Sequence, residues 1–198
     1  AWFSSTSRKF NNLINVPLDM MKDKPQECTK YYSDQVCDAI SKLSQRLDWN
    51  VIDKVLQAIH DSDSVAFFGT QFSHSAALHF QTDLLMLEKF TMAYMETERQ
   101  IDCARLMDEN SVAIIVTVNG FYARSNSKVL QYLKKSKCKV VLMTNNPGID
   151  IGINVNYTIV LGDSEQRKIG KHTLLTAVEL MSLRYYSLYY PGIQEKII

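Results

Sequence analysis

The sequence predicts an α/β protein, a three-layer α-β-α sandwich around a five-stranded parallel sheet with strand order 2-1-3-4-5. Three observations carry this expectation. From Val65 onward, short apolar runs alternate with amphipathic stretches, the pattern of successive βαβ units joined by right-handed crossovers. The strongest runs, VAFFG at 65–69, VAIIVT at 112–117 and VVLMT at 140–144, show no polar alternation, as strands covered by helices on both faces require. Each ends in residues that turn the chain: Gly69, Asn119-Gly120 and Asn145-Asn146-Pro147-Gly148.

Taken in order, segment 1–25 carries Trp2, Phe3 and Phe10 but no sustained period, and Pro17 and Pro25 interrupt it. It opens without an initiator Met, so 1–30 reads as a connector from a preceding domain and 31–198 as the folded unit. A helix is expected over 31–47, with Val36, Ala39 or Ile40, Leu43 and Leu47 on one face and Ser33 or Asp34 as its cap. A second follows at 50–60, with Val51, Val55, Leu56 and Ile59 on one face. After the turn at 61–64 comes the first strand, then a helix whose first turn holds the small residues Ser73, Ser75, Ala76 and Ala77. A weaker strand at 91–95 and a helix at 98–107 lead to the central strand. The lysine-bearing stretch VLQYLKKSK, the strand at 140–144 and a last strand at 157–161 complete the sheet. The final helix, 171–189, places Leu174, Val178, Met181, Tyr185 and Leu188 at 4-3-4-3 spacing.

Composition narrows the function. A chain of 198 residues, 46% hydrophobic with a net charge of +1, is long enough for one sizeable core and lacks the basic surplus of a nucleic-acid binder. Its longest apolar runs are too short to cross a bilayer and no signal peptide is visible, so a cytoplasmic protein without membrane contact is expected. Cys28, Cys37, Cys103 and Cys138 are scattered without a CxxC or CxxH pair, which argues for reduced structural cysteines and against a zinc site. No cofactor is implied. The lysines at 128, 134, 135, 137 and 139 read as one solvated face.

The chemistry concentrates in two strand-to-helix loops. A strand, a tight loop and a helix place backbone N–H groups where an anion can be held, and in a 2-1-3-4-5 sheet the ligand sits between the loops after strands one and three. The first loop holds Thr70, Gln71, Phe72 and Ser73, and the second runs from Asn119 through Ser125 to Ser127. Neither contains Asp or Glu, whereas Arg124 offers a cation. Of four histidines, His60 and His79 read as structural, while His74, beside Ser73, and His172, at the start of the last helix, are within plausible reach of a ligand. Ser73 and Ser75 alternatively serve only as helix caps.

These stretches resemble the sugar isomerase (SIS) domain, a flavodoxin-like α/β fold, and specifically the ligand-sensing half of RpiR-type bacterial transcriptional regulators. The resemblance spans about 31–190 and rests on VAFFGTQFSHSAA, VAIIVTVNGFYARS and CKVVLMTNNP. Gly69 matches the first Gly of the family's G-x-G-x-S-type loop, Gln71 stands in place of the second, and Ser73 matches the Ser. In the family's S-x-S-G-x-T loop, Thr117, Asn119 and Gly120 match Ser, Ser and Gly, and Tyr122 stands in place of the Thr. The resemblance implies that Gly69, Thr70, Gln71, Ser73, Thr117, Asn119, Gly120, Tyr122 and Ser125 surround a sugar phosphate, with His172 closing the site. Asn119 offers an amide and Tyr122 a phenol where the family has hydroxyls, and the rings of Phe121 and Tyr122 in or beside a compact loop predict a smaller pocket or a different ligand.

The expected function is that of a sensor: a phosphorylated sugar binds here and controls DNA binding by a helix-turn-helix domain outside this chain, in a homodimer or homotetramer. Two alternatives remain open. One is an aldose–ketose isomerase of the same fold, with His74 or His172 as base; the other is a dimer-forming module with a vestigial pocket.

Overall fold

The computed structural model describes residues 16–117, 120–162 and 170–190. Five parallel strands, β1 (Ser64–Phe68), β2 (Thr91–Ala93), β3 (Ser111–Val116), β4 (Lys139–Thr144) and β5 (Tyr157–Val160), form one sheet in the order β2-β1-β3-β4-β5. This is the expected order. The register is fixed by Phe67↔Ala93, Phe68↔Ile115, Val116↔Met143 and Thr144↔Val160.

The helices are α1 (Leu18–Asp23), α2 (Pro25–Arg46), α3 (Trp49–Asp61), α4 (Phe72–Met86), α5 (Thr97–Leu106), α6 (Phe121–Ser125), α7 (Ser127–Ser136) and α8 (Gly170–Tyr189). Alternation along the strands divides the core in two. Val65, Phe67, Val112, Ile114, Val116, Val141 and Met143 face α3, α4 and α8, through Ile52, Ile59, Phe80, Leu84 and Met181 among others. Ala66, Phe68, Ala113, Ile115 and Leu142 face α5, α6 and α7, through Cys103, Tyr122, Val129 and Leu133. Residues of β3 are buried from end to end, which explains a run without polar alternation.

Several boundaries differ from expectation. Helix α2 starts at Pro25 and not near Ser33 or Asp34, because Pro is well placed in a first helical turn, where its missing N–H costs nothing. Cys28, inside the expected connector, is fully buried. The segment expected to be a loop up to Ser127 contains the one-turn helix α6, and β2 stops at Ala93. Leu188 lies outside the buried stripe of α8, which Thr173, Ala177 and Ser182 complete instead. Helix α3 is capped by Asp48, whose Oδ1 accepts from the N–H groups of Asn50 and Val51 at 2.9 and 3.3 Å.

The aromatic end of α8 is packing. Tyr185 is buried, Tyr189 stacks on His60 with centroids 3.8 Å apart, and the Tyr190 hydroxyl donates to the Leu87 carbonyl. Cys28, Cys37, Cys103 and Cys138 are all free thiols, and burial pushes Cys103 up to about 11. Among the described residues no helix is long and apolar enough to cross a membrane.

Candidate functional site

Because β1 and β3 pair directly while the chain runs outward to β2 before returning, their C-terminal ends meet where the strand order reverses. The two loops are therefore neighbours. In the first, Gly69 lets α4 begin tight against β1: a Cβ there would stand 3.0 Å from Ser73 Cβ and 3.2 Å from the Ser73 carbonyl carbon. Gln71 then takes φ 52°, ψ −122°, a conformation that glycine adopts freely and L side chains rarely do. This is the position at which the resemblance expects glycine. The loop is closed by Ser73 N–H donating to the Thr70 carbonyl at 3.1 Å and Ser75 N–H to the Gln71 carbonyl at 3.0 Å. The Ser75 hydroxyl also turns back on the Gln71 carbonyl, at 3.3 Å. Neither serine caps α4, whose N-terminus has no side-chain cap.

In the second loop, Thr117 is buried at the end of β3; its N–H donates to the Met143 carbonyl at 2.9 Å and its Oγ1 accepts from the Tyr122 N–H at 3.3 Å. Gly120 takes φ 73°, and a Cβ on it would lie 1.8 Å from Ile149 Cδ1. The turn after β4 thus packs directly onto the start of α6. Asn119 lies outside the described residues. The Tyr122 ring does not crowd the loop, as its bulk suggests it should; it is buried in the core, where its hydroxyl donates to Gln100 Oε1 at 2.5 Å. Burial holds that phenol well above its usual range. Ser125 and Arg124 are exposed at the end of α6.

One residue that the sequence does not single out binds these pieces together. Gln100, buried on α5, donates through Nε2 to the carbonyls of Gly69 at 3.0 Å and Tyr94 at 2.7 Å, while its Oε1 takes the Tyr122 hydroxyl. A glutamine on a short, charged helix carries no signal of this role, because the same residue in solvent reads identically. Lys171 was likewise unmarked. Its Nζ lies 5.5 Å over the Phe72 ring, a cation–π contact that joins the first turn of α8 to the first turn of α4.

His172 follows Lys171, and its Nε2 is 2.5 Å from the Tyr32 hydroxyl of α2. Burial, and then the neighbouring Lys171 charge, hold its pKa below the usual histidine value. His74 is buried in the first turn of α4, and burial lowers its pKa too, against the opposing pull of Glu96. Gly69, Thr70, Gln71, Ser73, Thr117 and Gly120 are thus gathered at one edge, with Lys171 and His172 beside the first loop. The phenol of Tyr122 is turned away from it. Among the described residues no group of three or more His, Cys, Asp or Glu is placed to hold a metal.

No family model matches the chain, and no curated protein matches its sequence. Solved structures do match its fold. The Vibrio vulnificus NanR protein, solved complexed with ManNAc-6P, aligns with a TM-score of 0.74 at 14% identity, covering 89% of this chain and 69% of that one. The sugar isomerase domain of an RpiR transcription factor from Sphaerobacter thermophilus aligns with 0.61 at 13% identity, covering 84% and 97%. The phosphoheptose isomerase GmhA from Neisseria gonorrhoeae aligns with 0.67 at 14% identity, covering 83% and 100%. The parallel sheet in the order β2-β1-β3-β4-β5, sandwiched between two layers of helices, is the fold of the sugar isomerase (SIS) domain.

Proposed function

We propose that this chain is the ligand-sensing domain of a transcriptional regulator, binding a phosphorylated sugar at the C-terminal edge of its sheet. The observation that carries the reading is the pair of loops on adjacent strands β1 and β3, rich in small and hydroxyl residues and free of carboxylates. A phosphate at such an edge gains from the N-terminus of α4 and meets no carboxylate within the two loops, the neighbouring negative charge being Glu96 near His74. The candidate contacts are Gly69, Thr70, Gln71 and Ser73 from the first loop, and Thr117, Asn119, Gly120 and Ser125 from the second. Tyr122 contributes by holding Thr117 through its N–H. The RpiR transcription factor domain, which has this fold, supports the choice of a sensor, and NanR, solved complexed with ManNAc-6P, supports a phosphorylated sugar as its ligand.

A sensor must pass its bound state on, and His172 gives a route. Its contact with Tyr32 links the ligand edge to α2, whose N-terminal end points back toward the start of the chain, where we place the connection to a DNA-binding domain. Coupling then requires the ligand to favour one arrangement of the assembly over another. The outer faces of α4 and α8, which expose Leu78, Leu85, Leu175 and Leu183 around the exposed Glu179, offer apolar area for assembly with a second copy.

The test is thermal unfolding with a panel of sugar phosphates. A ligand at a hundred times its Kd stabilises the native state by about 2.7 kcal/mol, a rise of roughly 5–10 °C for a chain of this size. Failure of every sugar phosphate and of inorganic phosphate to raise Tm at millimolar concentration would remove the reading. A second reading, an aldose–ketose isomerase, is favoured by His172, an imidazole in the first turn of α8 whose pKa is held below the usual histidine value, so that its unprotonated form is the one available to take a proton. Turnover of any phosphosugar in the panel, lost in His172→Ala or His74→Ala, would decide for it.

A further inference from the structure

The turn that follows β4 contains a buried carboxamide whose hydrogen-bonding groups the fold does not use among the described residues. Asn145 comes immediately after Thr144, whose carbonyl accepts the Leu161 N–H at 2.9 Å, and two residues after Met143, whose carbonyl accepts the Thr117 N–H at the same distance. It therefore stands at the C-terminal edge between the ends of β3 and β5, beside the second loop. It is fully buried, yet among the described residues neither Oδ1 nor Nδ2 has a hydrogen-bond partner.

Its neighbours differ. Thr144 Oγ1 accepts the Asn146 N–H at 3.1 Å, Asn146 Oδ1 accepts the Gly148 N–H at 3.3 Å, and the Asn146 carbonyl accepts the Ile149 N–H at 3.1 Å. These bonds build the turn without Asn145. Nor does the backbone demand an asparagine, since its φ is not positive. Buried carboxamides are nearly always paired, because desolvation without compensation opposes folding. An amide left with both ends open at a ligand edge is best explained by partners that the ligand brings.

We propose that Asn145 reads a pair of adjacent sugar hydroxyls, and that it selects among phosphorylated compounds by their polyol part. The proposal rests on the reading of the edge as a phosphosugar site. The chemistry follows from the amide: Oδ1 needs a donor and Nδ2 an acceptor, about one hydroxyl spacing apart. Vicinal hydroxyls meet both needs, one donating and its neighbour accepting. Ionised phosphate oxygens only accept and leave Oδ1 unpaired. A site that must pair a buried polar group rejects ligands lacking the matching hydroxyl far more strongly than an apolar pocket does.

The experiment measures binding of inorganic phosphate, glucose 6-phosphate, ribose 5-phosphate and the 2-deoxy analogue of each sugar to the wild-type chain and to Asn145→Leu, with Tm recorded without ligand. The expected result is that wild type prefers at least one intact sugar phosphate over inorganic phosphate. Asn145→Leu should lose about tenfold or more of that preference, bind inorganic phosphate as before, and melt no lower than wild type when unliganded. Should Asn145→Leu not fold, Asn145→Ala serves for the same ratio. An unchanged preference in the variant overturns the proposal while leaving the phosphosugar reading intact. A clear fall in the unliganded Tm of both variants also overturns it, by showing that the amide is paired within the protein. If wild type binds none of the probes, the phosphosugar reading itself fails and this inference falls with it.

Discussion

Two residues of the site sit in backbone conformations that suit glycine, and only one of them is glycine. Gln71 at φ 52°, ψ −122° holds strain that relaxed geometry would release. Replacing it with Gly removes roughly 1–3 kcal/mol of strain and returns about 0.5–1 kcal/mol through added freedom of the unfolded chain. Gln71→Gly should therefore stabilise the protein by about 1 kcal/mol, seen as a higher urea midpoint with unchanged slope. A lower midpoint would mean that the Gln71 side chain makes interactions stronger than the strain it carries. At Gly120 the penalties add: an alanine would pay for its left-handed φ of 73° and overlap Ile149 Cδ1. Gly120→Ala should cost about 2–3 kcal/mol, of which only the left-handed part, about 1–2 kcal/mol, persists in an Ile149→Ala background. The same coupling, measured as a double-mutant cycle, reports whether the turn after β4 rests on the second loop in solution.

At the scale of elements, α5 and α8 set the site by different means. Helix α5 works through Gln100, which joins the ends of β1 and β2 to α6. Gln100→Ala leaves the Gly69 carbonyl and the Tyr122 phenol buried without that partner and should cost about 2–3 kcal/mol, together with a weaker ligand-induced Tm shift because the first loop loses its anchor. Helix α8 works through its first turn. His172 and His74 have depressed pKa values in the fold, burial being the main cause of each. The unfolded chain then binds more protons than the folded one once pH falls below the usual histidine value of about 6.5. Stability is full above that pH and is lost as pH falls through the lower folded values. Urea midpoints should decline from about pH 7 to pH 5, and His172→Gln should flatten part of that decline. No change in slope between the variant and wild type would show that His172 is solvated.

Across the whole molecule, what could be read in advance was whatever burial writes into periodicity. Strands covered on both faces leave unbroken runs such as VAIIV, and right-handed crossovers then restrict the strand order. The two loops were legible because glycine and small residues cluster where a backbone must turn closely. Gln100, Lys171 and the inward direction of Tyr122 were not, since each depends on which neighbours the fold brings and not on local spacing. Pro25 misled for a related reason: the same residue breaks a helix interior and begins a helix well. The outer faces of α4 and α8 pose the opposite problem. Leu85 is 57% exposed and Leu183 62%, although a helix that is apolar on every side is normally covered. Asp83 is engaged by the Ser182 hydroxyl at 2.6 Å, which leaves Glu179, one turn from both Leu175 and Leu183, as the exposed carboxylate of this face. If a second copy covers this face, a Leu85→Glu, Leu183→Glu variant should sediment as a monomer where wild type sediments as a dimer or larger. Its circular dichroism should match wild type, because both side chains point away from the core. A wild-type chain that sediments as a monomer would leave this face to another partner and remove homo-oligomeric coupling from the sensor reading.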